Sequence, residues 1–159
     1  MTRLSLLASV LAIAAFATPA LASETTATLD GEQIRRAFEG NTVSGRYTNG
    51  GFFTEYHQED GKALGHNGYS PNTDACWAIV ADAICYYYGP LDKRTTHCFT
   101  VTRNDRLYVL RTVGSARINA AAAIEPGNPR RHDDNGKPWV CDGLVSQGPA
   151  ASRRLLAAR

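Results

Sequence analysis

The chain has 159 residues, of which 17 are basic and 15 acidic, for a formal net charge of +2. So even a balance offers no strongly basic face for nucleic acid, and a length of this order holds one hydrophobic core rather than two domains. Four cysteines in so short a chain point to a disulfide framework.

Residues 1–22 have the three-part layout of a cleaved secretory signal: Arg3, an apolar run from Leu4 to Ala17, then Pro19 and the segment Ala20, Leu21, Ala22. The run is short and alanine-rich beside a permanent span of about 20 residues, so no stable membrane span is expected once it is removed before Ser23. Arg3 is the only charge lost with it, which brings the balance to +1. The product is expected in the periplasm or secreted, as a single domain over 29–145 followed by a flexible tail, 146–159. Residues 23–28 are polar and read as irregular.

The segment from Leu29 to Gly40 predicts a helix. Asp30 and Gln33 have capping-box spacing, Leu29 and Ile34 can staple across the cap, and Ile34, Ala37 and Phe38 share one face. Gly40 ends it. From Thr42 onward, short runs of β-branched and aromatic residues alternate with turn signals, which predicts an antiparallel meander. Thr42 to Thr48 and Phe52 to His57 flank Asn49, Gly50 and Gly51, a hairpin signal. Asp60 and Gly61 turn the chain into Lys62 to His66.

Further strands are expected over Trp77–Val80, Ala83–Tyr88, Thr95–Arg103 and Leu107–Val113, with another over Ala116–Ala123. Residues directly opposite in an antiparallel pair have a constant index sum. If Tyr88 and Thr95 face each other across their loop, Cys85 falls opposite Cys98, on the face away from Ile84, Tyr86, Tyr88, Phe99 and Val101. A disulfide between Cys85 and Cys98 follows, and Cys76 pairs with Cys141 by exclusion. None of the four cysteines lies in a C-x-x-C pair, which argues against structural zinc. Glu125 to Asn135 reads as a surface excursion.

A helix followed by seven or eight short strands needs its sheet edges covered, and closure does that most simply. The expected fold is therefore mainly β: an antiparallel meander closing into a small lipocalin-like β-barrel with one N-terminal helix. A two-sheet β-sandwich is the alternative. Leu29, Gly31, Ile34 and Phe38, then Gly40, Asn41 and Thr42, later Trp77, Cys85 and Tyr86, and Cys98, Phe99 and Val101 form a pattern. It resembles a family of small exported proteobacterial proteins of unknown function. The resemblance covers about residues 29 to 113 and implies a small barrel in the cell envelope without an established activity.

Chemistry-bearing patterns are sparse. His57 and His66 flank the Asp60-Gly61 turn near Glu55 and Glu59, but two imidazoles fall short of the three or four ligands of a metal site. His132 to Gly136 lacks the terminal glutamate of a calcium loop. No serine has a nucleophile-elbow context. Neither metal nor cofactor is expected, and the chain reads as non-enzymatic. Phe52, Tyr56, Trp77, Tyr86, Tyr88 and Phe99 are placed by alternation to line one interior, either as packed core or as a pocket for a small apolar ligand. Tyr87 and Phe53 would then face outward, available to an envelope protein. The second functional reading is accordingly a protein-contact module, such as an inhibitor of lysozyme-type hydrolases, with Gly114, Ser115, Ala116 and Arg117 as its loop.

Overall fold

The computed structural model describes residues 26–68, 70–89, 93–115 and 117–141. The expected signal at 1–22 and the expected tail at 146–159 lie outside these residues. The first element among the described residues is a two-residue strand, β1 (Ala27–Thr28), where the sequence suggested irregular structure. It pairs with Thr102 and Arg103, and Leu29 N–H donates to the Val101 carbonyl, so this segment is held by the sheet it precedes.

Helix α1 (Gly31–Phe38) forms where expected. Asp30 accepts from the Gln33 backbone at 2.7 Å, and the Gln33 side chain accepts from the Asp30 backbone at 2.9 Å. This reciprocal box satisfies two donors that a helix start otherwise leaves orphaned. Gly31 N–H also donates to Asp82 Oδ1 at 2.9 Å, pinning the helix start to a turn of the sheet. The approach is so close that a Cβ on residue 31 would collide with the Ala81 carbonyl oxygen. Ile34 and Phe38 are buried completely on the face turned to the sheet.

Among the described residues nine strands follow: β2 (Asn41–Tyr47), β3 (Phe52–His57), β4 (Ala63–Asn67), β5 (Ser70–Pro71), β6 (Cys76–Val80), β7 (Ala83–Tyr88), β8 (Thr95–Asn104), β9 (Leu107–Thr112) and β10 (Ile118–Pro126). They make one antiparallel sheet in the order β5-β4-β3-β2-β10-β9-β8-β7-β6, curled through 253° into a half-barrel. It is one continuous sheet, not two stacked ones. The first and last long strands, β2 and β10, pair over seven residues from Asn41↔Pro126 to Tyr47↔Ala120. The remaining seam therefore falls in mid-chain, between the β4–β5 hairpin and β6.

At one point that seam is stitched. Lys62 bridges Cys76, Trp77 N–H donates to the Gly61 carbonyl at 2.7 Å, and Ala63 N–H donates to the Ala75 carbonyl at 3.0 Å. The C-terminal segment covers the same place: Trp139 Nε1 donates to the Ala75 carbonyl at 2.9 Å, and Cys141 is disulfide-bonded to Cys76. The second disulfide joins Cys85 to Cys98, which lie opposite each other on β7 and β8 in the same register that sets Tyr88 against Thr95. Closing loops of 65 and 13 residues, the two links restrict the unfolded chain by about 4 and about 3 kcal/mol in a chain-entropy account. Two such bonds fit an oxidising environment. No helix among the described residues is long and apolar enough to cross a membrane.

The core fills one end of the half-barrel. Beneath α1, Val43, Ile84 and Val101 have no solvent exposure, and the Phe38 ring meets the His57 and Tyr108 rings edge-on at 5.4 and 6.1 Å.

Candidate functional site

At the other end the inner face is not filled. A cavity of about 270 Å³ lies there, lined by Tyr47, Phe53, Glu55, Tyr86, Tyr88, His97, Phe99 and Leu110, with Asn49, Asn67 and Asn119 at its rim. It is slightly smaller than the roughly 300–1,000 Å³ typical of drug-sized ligand sites, which suits a molecule of one or two rings.

Strand register explains which side chains reach it. In the β2–β3 hairpin Val43 lies opposite Glu55 and Gly45 opposite Phe53, so the buried Val43 carries Phe53, Glu55 and His57 to the inside. On β7 and β8 the inner set is Ile84, Tyr86 and Tyr88 with His97, Phe99 and Val101. A register shift in β10 between Ile118 and Ala120 brings Asn119 to the cavity rim.

Of the six residues expected to line an interior, Tyr86, Tyr88 and Phe99 line the cavity and Trp77 packs in the core beside His57, ring centroids 5.3 Å apart. Phe52 and Tyr56 do not: they alternate with Phe53 and Glu55 and so occupy the outer face of β3, where Phe52 is 36% exposed. Phe53, expected outside, is inside and 4% exposed. Tyr87 faces outward, half-buried opposite Cys76. The Gly114–Arg117 segment is the turn between β9 and β10, with Ala116 outside the described residues.

Glu55, which the sequence set only beside the two histidines of a hairpin turn, is the interior group that alternation did not reveal. It is 2% exposed at the base of the cavity. Tyr88 Oη donates to its Oε1 at 3.0 Å, and Asn72 Nδ2 donates to the same oxygen at 2.8 Å. Gly65, directly opposite Glu55 on β4, has φ +135° and lies so close to β3 that a Cβ there would strike the Thr54 carbonyl. Asn72 N–H bonds the Gly65 carbonyl at 2.7 Å and directs the amide inward. Burial pushes the Glu55 carboxyl up to about 7, against the pull of the Asn72 and Tyr88 hydrogen bonds.

The other polar groups of the interior are largely engaged. Tyr47 Oη donates to Asn67 Oδ1 at 2.9 Å, and Tyr86 Oη shares a 2.8 Å hydrogen bond with His57 Nε2. The Tyr47, Tyr86 and Tyr88 phenols are all held neutral, by burial first and then by the charge of Glu55. His57 is also neutral: burial pushes it down to about 4, although the backbone of Asn41 and Glu55 draws the other way, and no hydrogen bond of normal geometry reaches its Nδ1.

His57 and His66 do not converge. His57 points inward, while His66 pairs across from Thr54 on the outer face. There His132 folds back from the post-β10 excursion, with its ring 5.9 Å from that of His66. Its Nε2 lies 3.0 Å from Thr54 Oγ1, which in turn lies 2.9 Å from Ser44 Oγ. Burial, then His66 and Arg130, lower the basicity of His132. This hydrogen-bonded series anchors the excursion to the sheet; Thr54 is 8% exposed, and no carboxylate among the described residues hydrogen-bonds the imidazole as a catalytic pair would need. No group of three or more potential metal ligands forms among the described residues. Comparison of the chain with protein-family models, curated proteins and solved structures finds no match.

Proposed function

We propose that this protein is a non-enzymatic small-ligand-binding barrel of an oxidising compartment, the periplasm or the exterior of the cell, with a lipocalin-like mode of capture in the unfilled end of its half-barrel. The observation that carries the reading is the contrast between a cavity of about 270 Å³ and the tightly packed core directly below it. Close packing is the rule in protein interiors, and a space walled by Tyr88, Phe99, Phe53 and Leu110 with a few buried polar groups, Glu55 among them, has the composition of a ligand site. The two disulfides support the compartment.

The test is a broad small-molecule screen of the disulfide-intact protein, read by tryptophan fluorescence and followed by NMR. The expected result is a hit whose shift changes centre on Tyr47, Tyr88, His97 and Phe99 and spare Ile34 and Phe38. A screen without hits, or hits confined to the outer face, would overturn it.

A further inference from the structure

We propose that the ligand is a small organic cation, an ammonium group on an aromatic or alkyl body, with its nitrogen against Glu55 Oε2 and its body among Tyr88, Phe99 and Phe53. This rests on the ligand-binding reading above and names the chemical class of the ligand. Carboxylates are rarely buried without a cationic partner. Glu55 is buried, yet no lysine or arginine is among the described residues that line the cavity. Among the described residues the donors that reach the carboxyl, Tyr88 Oη and Asn72 Nδ2, both fall on Oε1. Oε2 accepts from neither, so a donor brought by a ligand would complete the site.

The walls favour the same charge. Five aromatic rings line the cavity, those of Tyr47, Phe53, Tyr86, Tyr88 and Phe99. Tyr86 and Tyr88 stack with an interplanar angle of 12°, and Tyr47 lies 4.8 Å from Phe53. Ring faces attract a desolvated cation and repel an anion, as an ionised Glu55 would. The titratable groups facing Glu55 are Tyr47 from β2, Tyr86 and Tyr88 from β7 and His97 from β8, with His57 on its own strand. The Tyr47, Tyr86 and Tyr88 phenols and His57 are held neutral at physiological pH.

Binding is then linked to a proton. With its carboxyl raised to about 7, Glu55 is largely protonated at pH 6 in the empty site. An arriving ammonium favours the carboxylate, and the carboxyl proton leaves to the buffer as the ion pair forms.

The experiment is isothermal titration calorimetry of the full chain, with disulfides intact, against phenethylamine, 2-phenylethanol and phenylacetate: three probes of similar size, cationic, neutral and anionic. Titrations at pH 6 and pH 8.5, each in two buffers of different ionisation heat, count the protons released. Phenethylamine is expected to bind at least tenfold tighter than 2-phenylethanol at pH 8.5, with phenylacetate weakest. Close to one proton should be released at pH 6 and almost none at pH 8.5. Glu55→Gln should remove the preference for the amine while 2-phenylethanol still binds. Neutral binding as tight as that of the amine, or no proton release at pH 6, overturns the cation assignment and leaves the pocket standing. If no probe of any charge binds, both readings fall.

Discussion

The two ends of this half-barrel are built from the same strands yet solve opposite problems. At the helix end Phe38 and Ile34 are driven into the sheet over Val43, Ile84 and Val101, and all five side chains are completely buried. At the cavity end the lining includes phenols, an imidazole and a carboxylate, and no helix among the described residues covers them. Stability is thus concentrated where α1 plugs the barrel, which leaves the far end free to hold a polar group that is expensive to bury. His57 marks the boundary, stacked edge-on against Phe38 and Trp77 on one side and hydrogen-bonded to Tyr86 on the other.

The largest effect should come from removing the plug. Phe38→Ala leaves a hole among fully buried neighbours and is expected to cost about 3–5 kcal/mol in denaturant unfolding. A loss below about 1 kcal/mol would show that the helix is not what closes this end.

A smaller effect of opposite sign is expected at the cavity. Glu55 has a raised carboxyl, so its contribution to stability is full below the unfolded value of 4.5 and is lost as the pH rises through about 7. His57 runs the other way: its basicity is depressed from 6.5 to about 4, so stability is lost as the pH falls between those values. Between about pH 4.5 and 6.5 the two slopes oppose each other at roughly 1.4 kcal/mol per unit each, and the pair contributes little net pH dependence. Glu55→Gln should therefore stabilise the protein at pH 8 by on the order of 2 kcal/mol, with less gain at pH 5. It should also expose the His57 slope as stability that climbs from pH 4 to 6.5. Unfolding curves at pH 4, 5, 6.5 and 8 decide this, and a variant with the wild-type pH profile would refute the burial assigned to Glu55.

The smallest effect is expected from Leu107→Ser, at the start of β9 on the outer surface of the helix end. Leu107 is 46% exposed, and a change within about 0.5 kcal/mol is expected. A larger loss in the same unfolding assay would mean that stability at this end is not confined to its interior.

Much of the scaffold was legible in the sequence because period-two patterns and turns overdetermine it. The limits of β7 (Ala83–Tyr88) came from its β-rich run and the turn signal before it, and the pairing of Cys85 with Cys98 from one index sum. The inner face of β3 was not legible by alternation, because Phe52 and Phe53 are adjacent and both are aromatic. The inward set continues into Glu55 and His57, which look like surface residues, while Tyr56 on the outer set looks like core. The signal lay in the neighbouring strand: with the turn at Asn49–Gly51 closing the hairpin, Val43 pairs with Glu55, and burying the valine takes the glutamate inside. The cavity itself depends on long-range placement, of Asn72 over Gly65 and of Tyr88 across from β3, which local pattern does not encode.

The pairing of β2 with β10 has a consequence for the order in which the chain can fold. A polypeptide emerging from its N-terminus presents β2 and β3 early, but β2 lacks its second neighbour until residues as late as Ile118–Pro126 have appeared. Contacts so distant along the chain are intrinsically slow to form. Trp139 and Cys141, which fasten the seam at Ala75 and Cys76, arrive later still. Wrapping and sealing are thus left to the last third of the chain, and a product truncated before Ile118 would display both edges of β2's unfinished sheet to any strand it met.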